Sequence, residues 1–175
     1  MATPDFVLRL RERIGHEELW LIGTTAVIVR DEREVLLVRR SDTGDWTPVT
    51  GIVDPGEEAA DAAAREALEE AGVIIRVDRL ARLGVTALYE YPNGDRSRYT
   101  DVTFRCTWLS GEPYPADGEN TDAAWFGLDA LPPMSAHMLG RIEAALADDP
   151  RAVFRRLDTP EGAAGGHVAG EPAGW

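Results

Sequence analysis

The sequence predicts an α/β protein in which a mixed sheet lies between helices. Three observations predict it. Helical and strand-like patterns follow one another in the order helix, strands, helix, strands, helix. A length of 175 residues suits one domain with a sizeable core and is short for two. Hydrophobic residues make up 44% and charged residues 28%, the balance of an ordinary globular chain. Within that single domain we expect a helix in 1–18, the main body over 19–150 and an extension over 151–175.

The elements follow in order. In residues 4–15, Phe6, Val7, Leu10 and Ile14 fall at helical spacing and Gly15 closes the run, predicting a short amphipathic helix that packs on the sheet or on a partner subunit. Residues 19–29 are apolar and β-branched, 31–34 make a turn, and 35–38 return as a second strand ending in Arg39 and Arg40. Those two arginines either reach a phosphate group or sit at a solvated strand end. In the polar loop that follows, Trp46 either stacks on a base or closes the edge of the core.

Residues 51–73 are the centre of the chain. Asp54, Pro55 and Gly56 form a turn, Glu57, Glu58 and Asp61 place negative charge at a helix N-terminus, and Gly72 is a C-terminal cap, so the helix is predicted from about Glu57 to Ala71. On that helix Glu66, Glu69 and Glu70 stand at i, i+3 and i+4, close enough for their carboxylates to share one face. Arg65 is the cation nearest in sequence, placed to pair with Glu69 or with Glu57. Oxygen-only ligands of this kind suit a hard dication such as Mg²⁺ or Mn²⁺ better than Zn²⁺.

Strands are expected at 73–77 and 80–91, then a turn at 92–95 and a return strand at 99–109 carrying Cys106 as a packed thiol. Residues 111–120 form an acidic loop, 123–128 a short strand, and 135–147 an amphipathic helix with Ser135 as N-cap, covering the second face of the sheet. A last short element is expected at 151–157 and an extended tail at 159–175. His16, His137 and His167 show no metal-binding spacing.

The net charge is −13, and all 18 basic residues are arginine. That balance argues against non-specific binding to nucleic acid or to an anionic membrane, because both need a basic face. The N-terminus lacks the apolar stretch of a signal peptide, and one cysteine forms no internal disulfide, so a cytoplasmic protein is expected.

The spacing Gly51, five residues, Glu57, seven residues, Arg65-Glu66, two residues, Glu69-Glu70, one residue, Gly72 resembles the Nudix box. Every fixed position is filled; Ala67 stands where the pattern prefers a larger aliphatic residue. The resemblance implies a Nudix-type α/β/α sandwich that hydrolyses a nucleoside diphosphate linked to another moiety. It implies that Glu66, Glu69, Glu70 and the carbonyl of Gly51 hold Mg²⁺, that Arg65 and Glu57 brace the loop against the helix, and that Glu69 or Glu119 takes the proton from the attacking water. Glu112 and Asp122 are further acids of the same loop region. The first proline beyond the box, Pro92, lies farther along than the interval typical of ADP-ribose-specific members. A nucleoside-triphosphate sanitising enzyme and a non-catalytic nucleotide-sensing domain are the alternatives. The expected partner is a small-molecule nucleotide, with no nucleic acid and no membrane, and a homodimer is compatible with it.

Overall fold

The computed structural model describes residues 3–155. Helix α1 spans Asp5–Ile14, and strand β1 (Leu19–Arg30) turns into β2 (Glu34–Arg40). The short strands β3 (Trp46–Thr47) and β4 (Val49–Ile52) lead into α2 (Ala59–Ala71). There follow β5 (Ile74–Val85), β6 (Tyr89–Glu90), β7 (Arg96–Ser110), β8 (Asn120–Gly127) and α3 (Ala136–Leu146). The strands form one mixed eight-stranded sheet whose main path is β3-β2-β1-β7-β5; β4 also pairs β1, β6 pairs β7 and β8 pairs β2. β1 and β7 are parallel over eleven residues, from Leu19↔Ser97 to Val29↔Thr107, while the other strand pairs are antiparallel. The expected α/β architecture is present.

Alternation along β1 and β2 divides the core. Ala26, Ile28, Leu36 and Val38 face α2, which meets them with Ala63, Ala67 and Ala71, all fully buried. Ala67, standing where the box pattern prefers a larger aliphatic residue, is fully buried against the sheet. Val27, Val29, Val35 and Leu37 face α3 and its Ile142 and Ala145. Val7 of α1 packs on Leu21, Ile52 and Tyr99, which settles the docking of that helix within this chain; Leu10 and Ile14, expected on its apolar face, are exposed.

Several boundaries differ from expectation for local reasons. α2 begins at Ala59 rather than Glu57, because Glu57 is used in closing the preceding turn. β5 is one strand where two were expected: it runs through Asp78 with register shifts between Val77 and Arg79 and between Leu80 and Arg82, so bulges absorb the break in pattern. β8 starts three residues early, at Asn120. Ser135 caps α3 as expected, its Oγ accepting from the Met138 N–H at 3.3 Å. Within 151–155, Val153 makes a single parallel bridge to Arg82. The expected tail over 159–175, and His167 with it, lie outside the described residues. Cys106 is fully buried, and burial pushes its thiol up to about 12, in line with a packing role.

Sequence patterns gave no sign of the charge beneath α3. Arg141 is wholly buried and donates from Nε to Asp101 Oδ2 at 2.9 Å; Asp101 also accepts from Thr25 Oγ1 at 3.2 Å.

Candidate active site

The turn before α2 fixes the first acid. Glu57 N–H donates to the Asp54 carbonyl at 3.0 Å, Gly56 takes φ +89°, and the Glu57 carboxylate accepts the Asp54 N–H at 3.1 Å. Arg65 then ties the turn to the helix. Its Nε and Nη2 donate to the two oxygens of Glu57 at 2.9 and 3.0 Å, and Nη2 donates to the Ile52 carbonyl at 3.2 Å. Its third nitrogen, Nη1, reaches back along the helix to Glu66 Oε1 at 2.9 Å and Glu69 Oε2 at 3.0 Å. One guanidinium therefore holds three carboxylates and a backbone carbonyl in a fixed relation.

Gly51, at the end of β4, lies under Glu66. A Cβ there would overlap the carboxylate arm of Glu66, so the position admits only glycine while that arm keeps its place. Glu66 and Glu70 are buried, and Glu69 is half exposed. Burial raises the Glu66 carboxyl to about 7, against the downward pull of Arg65. Burial also raises Glu70 to about 8, with repulsion from Glu66 and Asp117 adding to it and a 3.3 Å hydrogen bond from Asn120 Nδ2 opposing it. Glu66 shares its guanidinium with Glu57 and Glu69, and Glu70 has no ion pair among the described residues, so the two buried carboxyls are short of positive charge.

Those observations test the fit of a dication. The donors are oxygens, the buried acids carry too little positive charge nearby, and Glu66 Oε2 and Glu69 Oε1 accept no hydrogen bond among the described residues. A hard divalent ion suits such a set. In the present rotamers no three His, Cys, Asp or Glu side chains of the described residues form a metal cage. Arg65 separates Glu66 from Glu69 and Glu70 turns to Asn120, so shared coordination requires side-chain rotation.

An open acidic cleft of about 280 Å³ runs beside this group and is lined by Arg65, Glu66, Glu69, Asp117 and Glu119. A second cavity of about 270 Å³ adjoins it, with Ile52 and Glu119 in the walls of both. The acidic loop brings Glu119 to the cleft; Glu112 and Asp122 do not line either cavity. Asp117 and Asn120, which sequence reasoning passed over, are closer partners of the box than either. Their only signal was membership of the same loop.

Of the basic and aromatic candidates, Arg40 lines the second cavity, held by Asp42 at 2.9 and 2.6 Å. Arg39 faces away and spends its Nε on the Gly44 carbonyl at 3.1 Å. Alternation along β2 separates the two. Trp46 pairs with Arg39 across β3 and β2 and packs edge-on against Phe126 at 4.8 Å, on the α3 side of the sheet. The structure therefore corrects both as substrate contacts in this cleft and gives Trp46 its core role.

The fold and site define an α/β/α protein whose loop-helix unit gathers glutamates beside a polar cleft. The chain belongs to the NUDIX domain family, whose sequence model matches residues 20–146. It is 36% identical over 127 residues to the NAD-capped RNA hydrolase NudC of Pseudomonas syringae pv. syringae (strain B728a), a match covering 70% of this chain and 43% of that protein. NudC of Vibrio cholerae is 32% identical over 124 residues, covering 70% and 42%. The chain thus spans less than half the length of these curated relatives. Among solved structures, an ADP-ribose pyrophosphatase from Streptococcus suis 89-1591 superposes with a TM-score of 0.58 at 26% identity, covering 75% of this chain and 96% of that one. A MutT NUDIX hydrolase from Burkholderia pseudomallei gives 0.53 at 28%, covering 72% and 98%. Among the described residues no helix is long and apolar enough to cross a membrane.

Proposed function

We propose that this chain is a Mg²⁺-dependent pyrophosphohydrolase acting on a nucleoside diphosphate linked to another moiety, with Mn²⁺ as a substitute ion. The observation that carries the proposal is the Arg65 buttress, which holds Glu57, Glu66 and Glu69 while Glu66 and Glu70 are buried and raised beside an open cleft. Glu66, Glu69, Glu70 and the Gly51 carbonyl would hold the ion. When bound, Mg²⁺ supplies charge neutralisation for the diphosphate and a stronger water nucleophile.

The chain's own groups do the rest. Arg65 keeps the carboxylates in place, and Glu119 or Glu69, at the rim of the cleft, takes the proton as the water oxygen bonds to phosphorus. The P–O anhydride bond breaks, giving a nucleoside monophosphate and the phosphorylated second moiety. The intact box glutamates favour turnover over a purely sensing role. The relatives are NAD-capped RNA hydrolases, which adds the diphosphate linkage of NAD to the substrate panel, while the charge of −13 favours a small-molecule substrate over a nucleic-acid or membrane partner.

The test is turnover across ADP-ribose, nucleotide sugars, NAD, dinucleoside polyphosphates and oxidised dNTPs with Mg²⁺. Diphosphate-linked compounds should be preferred, and Glu70→Gln should abolish the reaction with the fold retained by circular dichroism. Preference for triphosphates, or full activity in the variant, contradicts the proposal.

A further inference from the structure

Residues 111–119 connect β7 to β8 and bring Asp117 and Glu119 to the cleft. Residues 114–118 are all exposed, so burial in the core does not place this loop. Its charge opposes its position: Asp117 repels Glu70, and Asp117 and Glu119 line the same cleft as Glu66 and Glu69. A specific contact has to hold the loop against that repulsion.

The contact is made on the C-terminal end of α2. A helix end leaves carbonyls without intrahelical donors. Here the Gly72 and Val73 N–H groups take the Leu68 and Ala67 carbonyls at 3.1 and 3.3 Å. The loop supplies donors for two more, the Tyr114 N–H to the Ala71 carbonyl at 3.2 Å and the Ala116 N–H to the Glu70 carbonyl at 3.1 Å. Glycine makes the approach close. The Tyr114 ring lies against Gly72, where a Cβ would overlap it, and a Cβ at Gly111 would stand 2.6 Å from the Gly72 carbonyl oxygen. Tyr114 is 57% exposed, so its ring serves this contact and not the core. Beyond it, Asp117 Oδ1 accepts the Glu119 N–H at 2.9 Å, which ties the two acids together, and the Ser41 N–H donates to the Glu119 carbonyl at 3.0 Å. Asn120, the first residue of β8, then donates from Nδ2 to Glu70 Oε2 at 3.3 Å. Glu70 is therefore bound at its carbonyl by the loop and at its carboxylate by the residue that ends the loop.

We infer that Tyr114 is a positioning residue for the reaction: by docking the acidic loop on the C-terminal end of α2, it holds Asp117 and Glu119 in the cleft shared with Glu66 and Glu69. The inference rests on the hydrolase reading of the box. It gives Gly72 a second role beside that of helix cap, as the seat of the Tyr114 ring. One helix then carries the box glutamates along its length and the loop acids at its end, so the two sets keep a fixed relation.

The test reads docking and turnover separately. Hydrogen exchange resolved by NMR, without ion or nucleotide, should show the Tyr114 and Ala116 amides protected in wild type. Tyr114→Ala should speed exchange at Ala116 about tenfold or more while the amides inside α2 keep their protection. With the compound that wild type turns over fastest, the same variant should lower kcat about tenfold and leave KM within about twofold. Tyr114→Phe, which keeps the ring, should restore both readouts. Unchanged exchange in Tyr114→Ala, or faster exchange with kcat unchanged, overturns the inference while the hydrolase reading stands. Faster exchange throughout α2, or an equal loss in Tyr114→Phe, also overturns it, because the effect is then general loosening or the hydroxyl. Absence of Mg²⁺-dependent turnover by wild type overturns the hydrolase reading itself and the inference with it. If Tyr114→Ala loses its fold by circular dichroism, Ala116→Pro carries the comparison, since it removes the N–H that meets the Glu70 carbonyl. It should speed exchange at Tyr114 and lower kcat about tenfold, and an unchanged kcat overturns the inference.

Discussion

Removing divalent ions should make stability depend on pH in a way that isolates the box. In the folded chain Glu70 is raised from 4.5 to about 8 and Glu66 to about 7, chiefly by burial. A folded-state pKa above the unfolded one means that the folded chain holds the proton more tightly. Stability is then fully present below about 4.5 and is lost as pH rises through the folded value. At 1.36 kcal/mol per unit the Glu70 shift has a ceiling of roughly 5 kcal/mol; mutual repulsion with Glu66 makes the two non-additive, so a total of about 3–5 kcal/mol is the working figure.

His137 acts in the opposite sense at lower pH. Burial and Arg141 depress it to about 4, so its contribution grows as pH rises from about 4 to 6.5 and then stays constant. The box is therefore read most cleanly between pH 6.5 and 8. In EDTA, Tm should fall over that range; one and a half pH units of it correspond to about 2 kcal/mol, or roughly 4–8 °C at 2–4 °C per kcal/mol. Saturating Mg²⁺ should remove the fall, and Glu70→Gln in EDTA should flatten it and be more stable than wild type at pH 8. Differential scanning fluorimetry across the range measures this. A Tm that does not fall in EDTA, or one that falls equally in Glu70→Gln, refutes the reading that burial raises these two carboxyls in the folded chain.

Two further predictions concern packing. Gly51→Ala should drive the Glu66 arm from its place and weaken Mn²⁺ binding about 10–100-fold with the fold kept, measured by calorimetry; unchanged affinity would show that the arm relocates freely. Arg141→Met should cost about 3–5 kcal/mol in urea unfolding because it removes the hydrogen-bonded cation of the buried Asp101 carboxylate and leaves it only Arg82 at 3.7 Å, and adding Asp101→Asn should recover much of the loss. Equal losses in the single and double variants would place the effect in packing instead of charge.

Local chemistry made much of this legible in sequence. The i, i+3, i+4 spacing of Glu66, Glu69 and Glu70 and the C-cap at Gly72, which takes φ 67°, follow from helix geometry alone. The convergence was only partial, because side-chain direction depends on tertiary neighbours: Asn120 draws Glu70 aside from a strand 50 residues away. Strand alternation also decides between adjacent residues, sending Arg40 into a cavity and Arg39 to a loop carbonyl, and a sequence pattern cannot say which parity faces inward. The Arg141–Asp101 pair was hidden for the same reason, since nothing near either residue announces a partner 40 positions away. The wall that α1 adds to the second cavity depends on where a helix docks, and its apolar stripe, buried only at Val7, did not specify that.

On the proposed function, the box glutamates take a dication beside the cleft. Electron paramagnetic resonance of Mn²⁺ titrated into wild type and Glu66→Gln, at pH 8 in the absence of nucleotide, tests it most directly. Wild type should bind at least one ion that Mg²⁺ displaces, and Glu66→Gln should lose that ion. Equal binding by the two proteins, or none by wild type, would contradict the account.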